Sequence, residues 1–186
     1  MPAARRLRRT ALAVVAAGLL AACGGDGEAG GEVVACPDGR EVTAPGGADA
    51  LPVRELSVLG EDASVSTACW QDTPTVVNFW AEWCEPCKAE MPDFEEVHQA
   101  AGDAVRFVGV DYEDREQAAL DFAAEVGVTY DLVEDPDGAF FDAVEGRGTP
   151  QTLLVDADGR IVYRHAGPLT RQALEDLLAE HLDVEV

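Results

Sequence analysis

The sequence predicts an α/β fold built on a mixed central sheet with helices on both faces. Three observations carry that expectation. Thr75-Val76-Val77-Asn78-Phe79-Trp80 is an apolar, β-branched run of the kind that forms a strand buried on both sides. Helical patterns alternate with strand-like runs after it, and strands separated by helices join as parallel neighbours. Near the C-terminus, residues 151–156 and 161–165 flank Ala157-Asp158-Gly159, a hairpin signal that adds an antiparallel portion.

The elements follow in order. Arg5, Arg6, Arg8 and Arg9 precede a short apolar run over residues 11–20. Spanning a bilayer takes roughly 20 apolar residues, so residues 1–22 read as a signal peptide. Residues 23–50 are rich in Gly, Asp, Glu, Ala and Pro without periodicity and read as a flexible linker, with a turn at Cys36-Pro37-Asp38-Gly39. The folded domain is expected over residues 51–186. Residues 51–56 and 63–66 alternate weakly, which suggests an N-terminal hairpin. The strand Thr75–Trp80 leads to a helix starting near Cys84, with a kink expected at Pro92, where a backbone donor is missing.

Residues 105–111 read as a second strand. A helix over 115–126 follows from the apolar spacing of Ala119, Phe122, Ala123 and Val126, with Gly127 as its stop. Residues 130–133 form a short strand candidate, and Asp135-Pro136-Asp137-Gly138 turns the chain into a short helical segment at 139–144. After the closing hairpin, Thr170 caps an amphipathic helix to Leu182, with Leu174, Leu177 and Leu178 facing inward.

Chemistry concentrates at Trp83-Cys84-Glu85-Pro86-Cys87, directly after the buried strand. Two cysteines separated by two residues can close a small disulfide ring or open to a dithiol. At a helix start the first sulfur meets unpaired N–H groups and the positive end of the helix dipole. Both favour thiolate, the form that attacks a disulfide. Half of a zinc site is the competing reading, but it needs a second CxxC or suitably spaced histidines, and the chain has neither. Cys84, at the exposed side of the turn beside Trp83, is therefore expected to be the nucleophile, with Cys87 resolving. Pro86 sits where its missing N–H costs little; Glu85 and Pro86 are expected to tune redox poise.

The segment FWAEWCEPC resembles the active site of the thioredoxin superfamily. CEPCKAEMP, with Glu90 three residues after Cys87, is similar to the TlpA/ResA-like thiol-disulfide oxidoreductases. The resemblance continues through Gly148-Thr149-Pro150-Gln151-Thr152 and Asp158-Gly159-Arg160, and covers about residues 51–182. It implies a thioredoxin fold with a central insertion near residues 115–144, and an active-site role for Glu90 in moving protons. It also implies that Pro150 is a cis-proline facing the cysteines, with Thr149 offering its backbone to a substrate strand. Thioredoxins proper have an aspartate where this chain has Asn78, which leaves Glu90 as the remaining acceptor. Gly146 also departs from the family, which often has an apolar residue there. Trp80 and Trp83 are expected around the site, and Trp70 in the core.

Leu20-Ala21-Ala22-Cys23 resembles a bacterial lipobox, which implies lipid on Cys23 and a protein held at the outer face of the cytoplasmic membrane. Of the five cysteines, Cys36 and Cys69 then remain. A structural disulfide between them suits an exported protein; the alternative is a second exchange pair relaying electrons to Cys84–Cys87. Past residue 22 the chain carries nine Lys and Arg against 36 Asp and Glu, a net charge of −27. That balance argues against nucleic acid and anionic lipid surfaces as partners. Lys88, the single lysine, follows the redox pair, where a cation favours thiolate.

Function, on this reading, is disulfide exchange with exported proteins, as a reductant whose clients include apocytochrome c. The disulfide itself is the redox group, with no metal or organic cofactor expected, a membrane protein as electron partner and a monomeric state. An oxidant that installs disulfides is the alternative. A copper-binding protein of the Sco type would use CxxxC and a later histidine; a peroxiredoxin-like protein would have threonine where Ala81 stands.

Overall fold

The structure is a computed structural model and describes residues 31–186. The signal peptide, Cys23 and the start of the linker lie outside the described residues. Nine strands and four α-helices are assigned among those described. Seven strands form one sheet in the order β4-β3-β7-β6-β5-β8-β9. They are β3 (Glu55–Val58), β4 (Ser64–Ser66), β5 (Thr75–Trp80), β6 (Arg106–Tyr112), β7 (Asp131–Asp135), β8 (Gln151–Val155) and β9 (Ile161–Ala166).

The centre of the sheet is parallel and its flanks are antiparallel. β5 pairs parallel with β6, and β6 with β7. β8 runs antiparallel to β5 and carries β9 as the edge strand. The N-terminal hairpin β3-β4 joins the other side by pairing antiparallel with β7. All six residues of β5 are buried, as a central strand with both faces covered requires.

One face carries α1 (Glu85–Ala101), α2 (Glu116–Val126) and α4 (Arg171–Leu182). Val76, Phe94, Val97, Leu154, Leu174 and Leu178 close one core on this side, and Leu177 packs at its margin, only half-buried. The opposite core gathers Leu51, Leu56, Trp70, Val77, Phe79, Val108, Val110 and Leu153 under Phe140 and Phe141 of α3 (Ala139–Ala143). Asp135 aims α3 by accepting from the N–H groups of Phe140 and Phe141, at 3.0 and 2.8 Å. The insertion anticipated near residues 115–144 is thus α2, β7 and α3, with β7 built into the main sheet.

The expected linker is corrected in one stretch. Residues 33–43 form an antiparallel pair, β1 (Val33–Ala35) and β2 (Glu41–Thr43), around the turn at Cys36–Gly39. Val42 is buried with Cys36, Ala68 and Cys69. Strands of three residues are too short to show periodicity; a tertiary staple, described next, holds them. Cys36 and Cys69 form a disulfide with Cα atoms 5.6 Å apart. The Arg40 guanidinium reinforces it, donating to Asp38, to Asp72 and to the Cys69 carbonyl.

Gly109 in β6 is required by close approach. A Cβ there would lie 2.9 Å from the Trp80 indole nitrogen and 2.6 Å from a Leu132 methyl. Its absence lets the Trp80 ring lie across β6.

Candidate active site

The site is built where β5 ends. β5 delivers Trp80, Ala81, Glu82 and Trp83, and Cys84 then caps α1. The Cys84 Sγ accepts from the Cys87 N–H at 3.3 Å, and the Cys84 carbonyl accepts from Lys88 at 3.2 Å. One orphan donor of the first turn, the Cys87 N–H, thus meets this sulfur, which favours its anionic form. Cys84 and Cys87 form a disulfide with Cα atoms 5.3 Å apart. Cys84 keeps 4% exposure and Cys87 none, so an incoming group meets the first sulfur.

Trp83 is 53% exposed, and its indole N–H donates to the Glu113 carbonyl at 3.4 Å. It stands at the surface rather than packing over the pair. Trp80 does pack with them, in one apolar cluster with Cys84, Cys87, Met91 and Phe122. Glu82 is half-buried, its N–H held by Asp114 at 2.6 Å. Lys88 is claimed by two carboxylates, Glu82 and Glu85, both at 3.3 Å. Its charge is therefore shared before any of it reaches a sulfur. Glu85 and Pro86 are exposed on the first turn.

Glu90, one turn beyond Cys87, is 2% exposed. Its Oε1 accepts from the Asn78 amide at 2.9 Å and its Oε2 from the Leu169 N–H at 2.9 Å. Burial pushes its carboxyl up to about 7; the bonds from Leu169 and Asn78 pull the other way without cancelling the effect. Asn78, where thioredoxins have an aspartate, here orients the buried acid. Its amide also reaches Thr152 Oγ1 at 3.3 Å.

The Thr149–Pro150 peptide bond is cis. Phe79 pairs with Gln151 across β5 and β8, so Pro150 lies level with Trp80, at the sheet edge from which the chain departs toward Cys84. The Pro150 carbonyl accepts from Gly167 at 3.0 Å. Among the described residues no hydrogen bond engages the backbone N–H or carbonyl of Thr149. Cys84, Cys87, Glu90, Pro150 and Thr149 therefore share one region; Cys36 and Cys69 belong to the separate N-terminal cluster.

A second buried acid was not singled out in the sequence. Asp111, 3% exposed, ends the buried part of β6, paired beside Trp80 on one side and Glu134 on the other. Burial, with the charges of Asp114 and Glu134 adding, pushes it up to about 7. An acid at the end of an apolar strand was the available signal.

Among the described residues no group of three or more His, Cys, Asp or Glu is arranged to hold a metal.

Strand, capped cysteine pair and a cis-proline on the adjoining strand define a thioredoxin-type thiol-disulfide oxidoreductase. The Redoxin family model matches residues 41–179, and the chain belongs to that family. Within it the chain is TlpA/ResA-like. It is 38% identical over 143 residues to the thiol:disulfide interchange protein HelX of Rhodobacter capsulatus, covering 76% of this chain and 77% of the relative. It is 31% identical over 134 residues to the thiol-disulfide oxidoreductase ResA of Oceanobacillus iheyensis, covering 70% of each. Among solved structures, a DsbF homologue from Corynebacterium diphtheriae superposes with a TM-score of 0.63 at 29% identity, over 81% of this chain and 99% of that one.

Proposed function

We propose that the protein is an extracytoplasmic reductant that opens disulfides in exported proteins, apocytochrome c among them, from a lipid anchor on Cys23. The observation that carries the exchange chemistry is the Cys84 sulfur at the cap of α1, taking the Cys87 N–H beside an unclaimed Thr149 backbone. The resemblance to the TlpA/ResA-like group supports the reductant direction, and the Cys36–Cys69 disulfide suits an oxidising compartment. Among the described residues no helix is long and apolar enough to cross a membrane.

In the working direction, the Cys84 thiolate displaces one sulfur of the client disulfide. A mixed disulfide forms and the client's other sulfur leaves as thiolate. Cys87, deprotonated in turn, attacks Cys84; the client is released as a dithiol and the protein keeps the two-electron oxidised pair. Glu90, near neutral pH half ionised, takes the proton from Cys87. Client backbone pairs with Thr149, while Glu85 and Pro86 set the thiolate's stability. A membrane protein returns the electrons.

Two measurements test this. The Cys84–Cys87 potential is expected below about −220 mV, in the range of reducing thioredoxin-like proteins; a value near −120 mV would make the protein an oxidant. Cys87→Ala should accumulate clients covalently on Cys84, and Cys84→Ala should accumulate few. Equal trapping by both variants would overturn the division of roles.

A further inference from the structure

Basic side chains are scarce in this protein, and where they are left without a carboxylate is informative. Past residue 22 there are nine, against 36 acids. Arg40, Lys88, Arg106 and Arg171 are engaged in ion pairs. Of the five that make no ion pair among the described residues, Arg147 and Arg164 line one notch of about 270 Å³ together with Glu145, Gln151, His165 and Ala166. Among the described residues no acid lies within 4 Å of either guanidinium, Glu145 included.

The notch adjoins the cis-proline. Arg147 precedes Pro150 by three residues, and its N–H donates to the Gln151 side chain at 3.1 Å. Arg164 is paired with Leu153 across the closing hairpin, one strand outward from β8. One of its terminal nitrogens donates to the Val144 carbonyl at 2.7 Å. That bond orients the planar fork and leaves its other donors open. Gln151 and Ala166, which complete the wall, are register partners, and the next residue, Gly167, is tied to Pro150 at 3.0 Å.

We propose that Arg147 and Arg164 read a carboxylate on the client protein, selecting segments with an Asp or Glu close to the reacting cysteine. This rests on the exchange reading above and deepens it. A client strand lying along Thr149 places alternate side chains on opposite sides. Those on the β9 side pass over the notch. Guanidinium is the donor best matched to carboxylate geometry. The protein's overall negative field opposes an acidic client at long range. The notch answers that opposition at the one place where client and cysteines meet. Glu145, which shares the lining, repels a carboxylate and so restricts it to the arginine side.

Short synthetic peptides with one internal disulfide test this, carrying Glu, Gln or Lys beside the reacting cysteine. Their reduction is followed with the full-length protein pre-reduced at Cys84–Cys87. The Glu peptide should react about fivefold faster than the Gln peptide, a ratio in keeping with two partly exposed ion pairs. Salt near 0.5 M should compress the ratio. Arg147→Glu should reverse the order, favouring the Lys peptide; Arg147→Gln with Arg164→Gln should bring the Glu:Gln ratio to about one. Arg147 makes no side-chain hydrogen bond among the described residues, so its variants read charge with the fold intact. Equal rates for all three peptides, or a preference that survives the double substitution, would overturn the notch while leaving exchange standing. No reduction of any peptide would overturn the exchange reading and the notch with it.

Discussion

Glu90 shows how much a single buried carboxyl can govern. Unfolded, it ionises near 4.5; folded, burial holds it up to about 7. The native state therefore keeps its proton longer than the unfolded state does. Any stability this confers is fully present below pH 4.5 and is lost as the pH rises to 7. At about 1.4 kcal/mol per tenfold change in proton affinity, the loss is roughly 3 kcal/mol. Glu90→Gln removes that dependence. A Gln amide can accept from only one of its two donors, Asn78 or Leu169, so the variant carries a pH-independent cost of about 1–3 kcal/mol. Urea unfolding at pH 5 and pH 8 should show the variant gaining on wild type at the higher pH. A parallel pH dependence in both proteins would mean that Glu90 is ionised throughout. Asp111 has the same sign and will leave a residual slope. Glu90 could be singled out in the sequence because helix spacing relates it to Cys87. Its bond to Leu169 could not, because 79 residues separate the two and only the packing of α4's leading loop on α1 joins them.

Among the elements, the long periodic ones were legible, and so were the short hairpin β3-β4 through its weak alternation and α3 through the turn before it; β1 and β2 were not. β5, α1, α2 and α4 announce themselves by apolar spacing and caps, and the pairing of β8 with β9 by its turn, though not the register shift at Leu154/Val155. β1 and β2 have three residues each and bury one side chain, Val42, to the full. Their stability comes from Cys36–Cys69 and Arg40, neither of which alters local periodicity. Closing a loop across 33 positions restricts the unfolded chain by roughly 3–4 kcal/mol in the chain-entropy model. Replacing Cys36 and Cys69 together by Ala should lower stability by about that amount. Protease cleavage within residues 31–43 should appear before the domain itself melts. Unchanged denaturant midpoints would show that the pair contributes nothing beyond its own packing. The site was legible for a related reason: Cys84 and Cys87 are neighbours in sequence. Pro150 was reached only through its resemblance to a family motif, since nothing local reveals which strand it faces.

At the scale of the molecule, the dominant quantity is charge. A net −27 over residues 23–186 acts against compaction, because like charges lie closer together in the folded state than in the unfolded chain. Added salt should screen that repulsion. Between about 0.02 and 0.5 M NaCl the melting temperature is expected to rise by several degrees. A fall on adding salt would show that the ion pairs of Arg40, Lys88, Arg106 and Arg171 outweigh the repulsion. Connectivity matters at this scale too. The Cys36–Cys69 bond makes residues 37–68 a closed loop in the covalent graph. Tension applied to the chain upstream of Cys36 therefore passes through the sulfurs to Cys69 and on to β5, without being borne by β3 or β4. β2, β3 and β4 are mechanically bypassed, and the load reaches the sheet at its central strand.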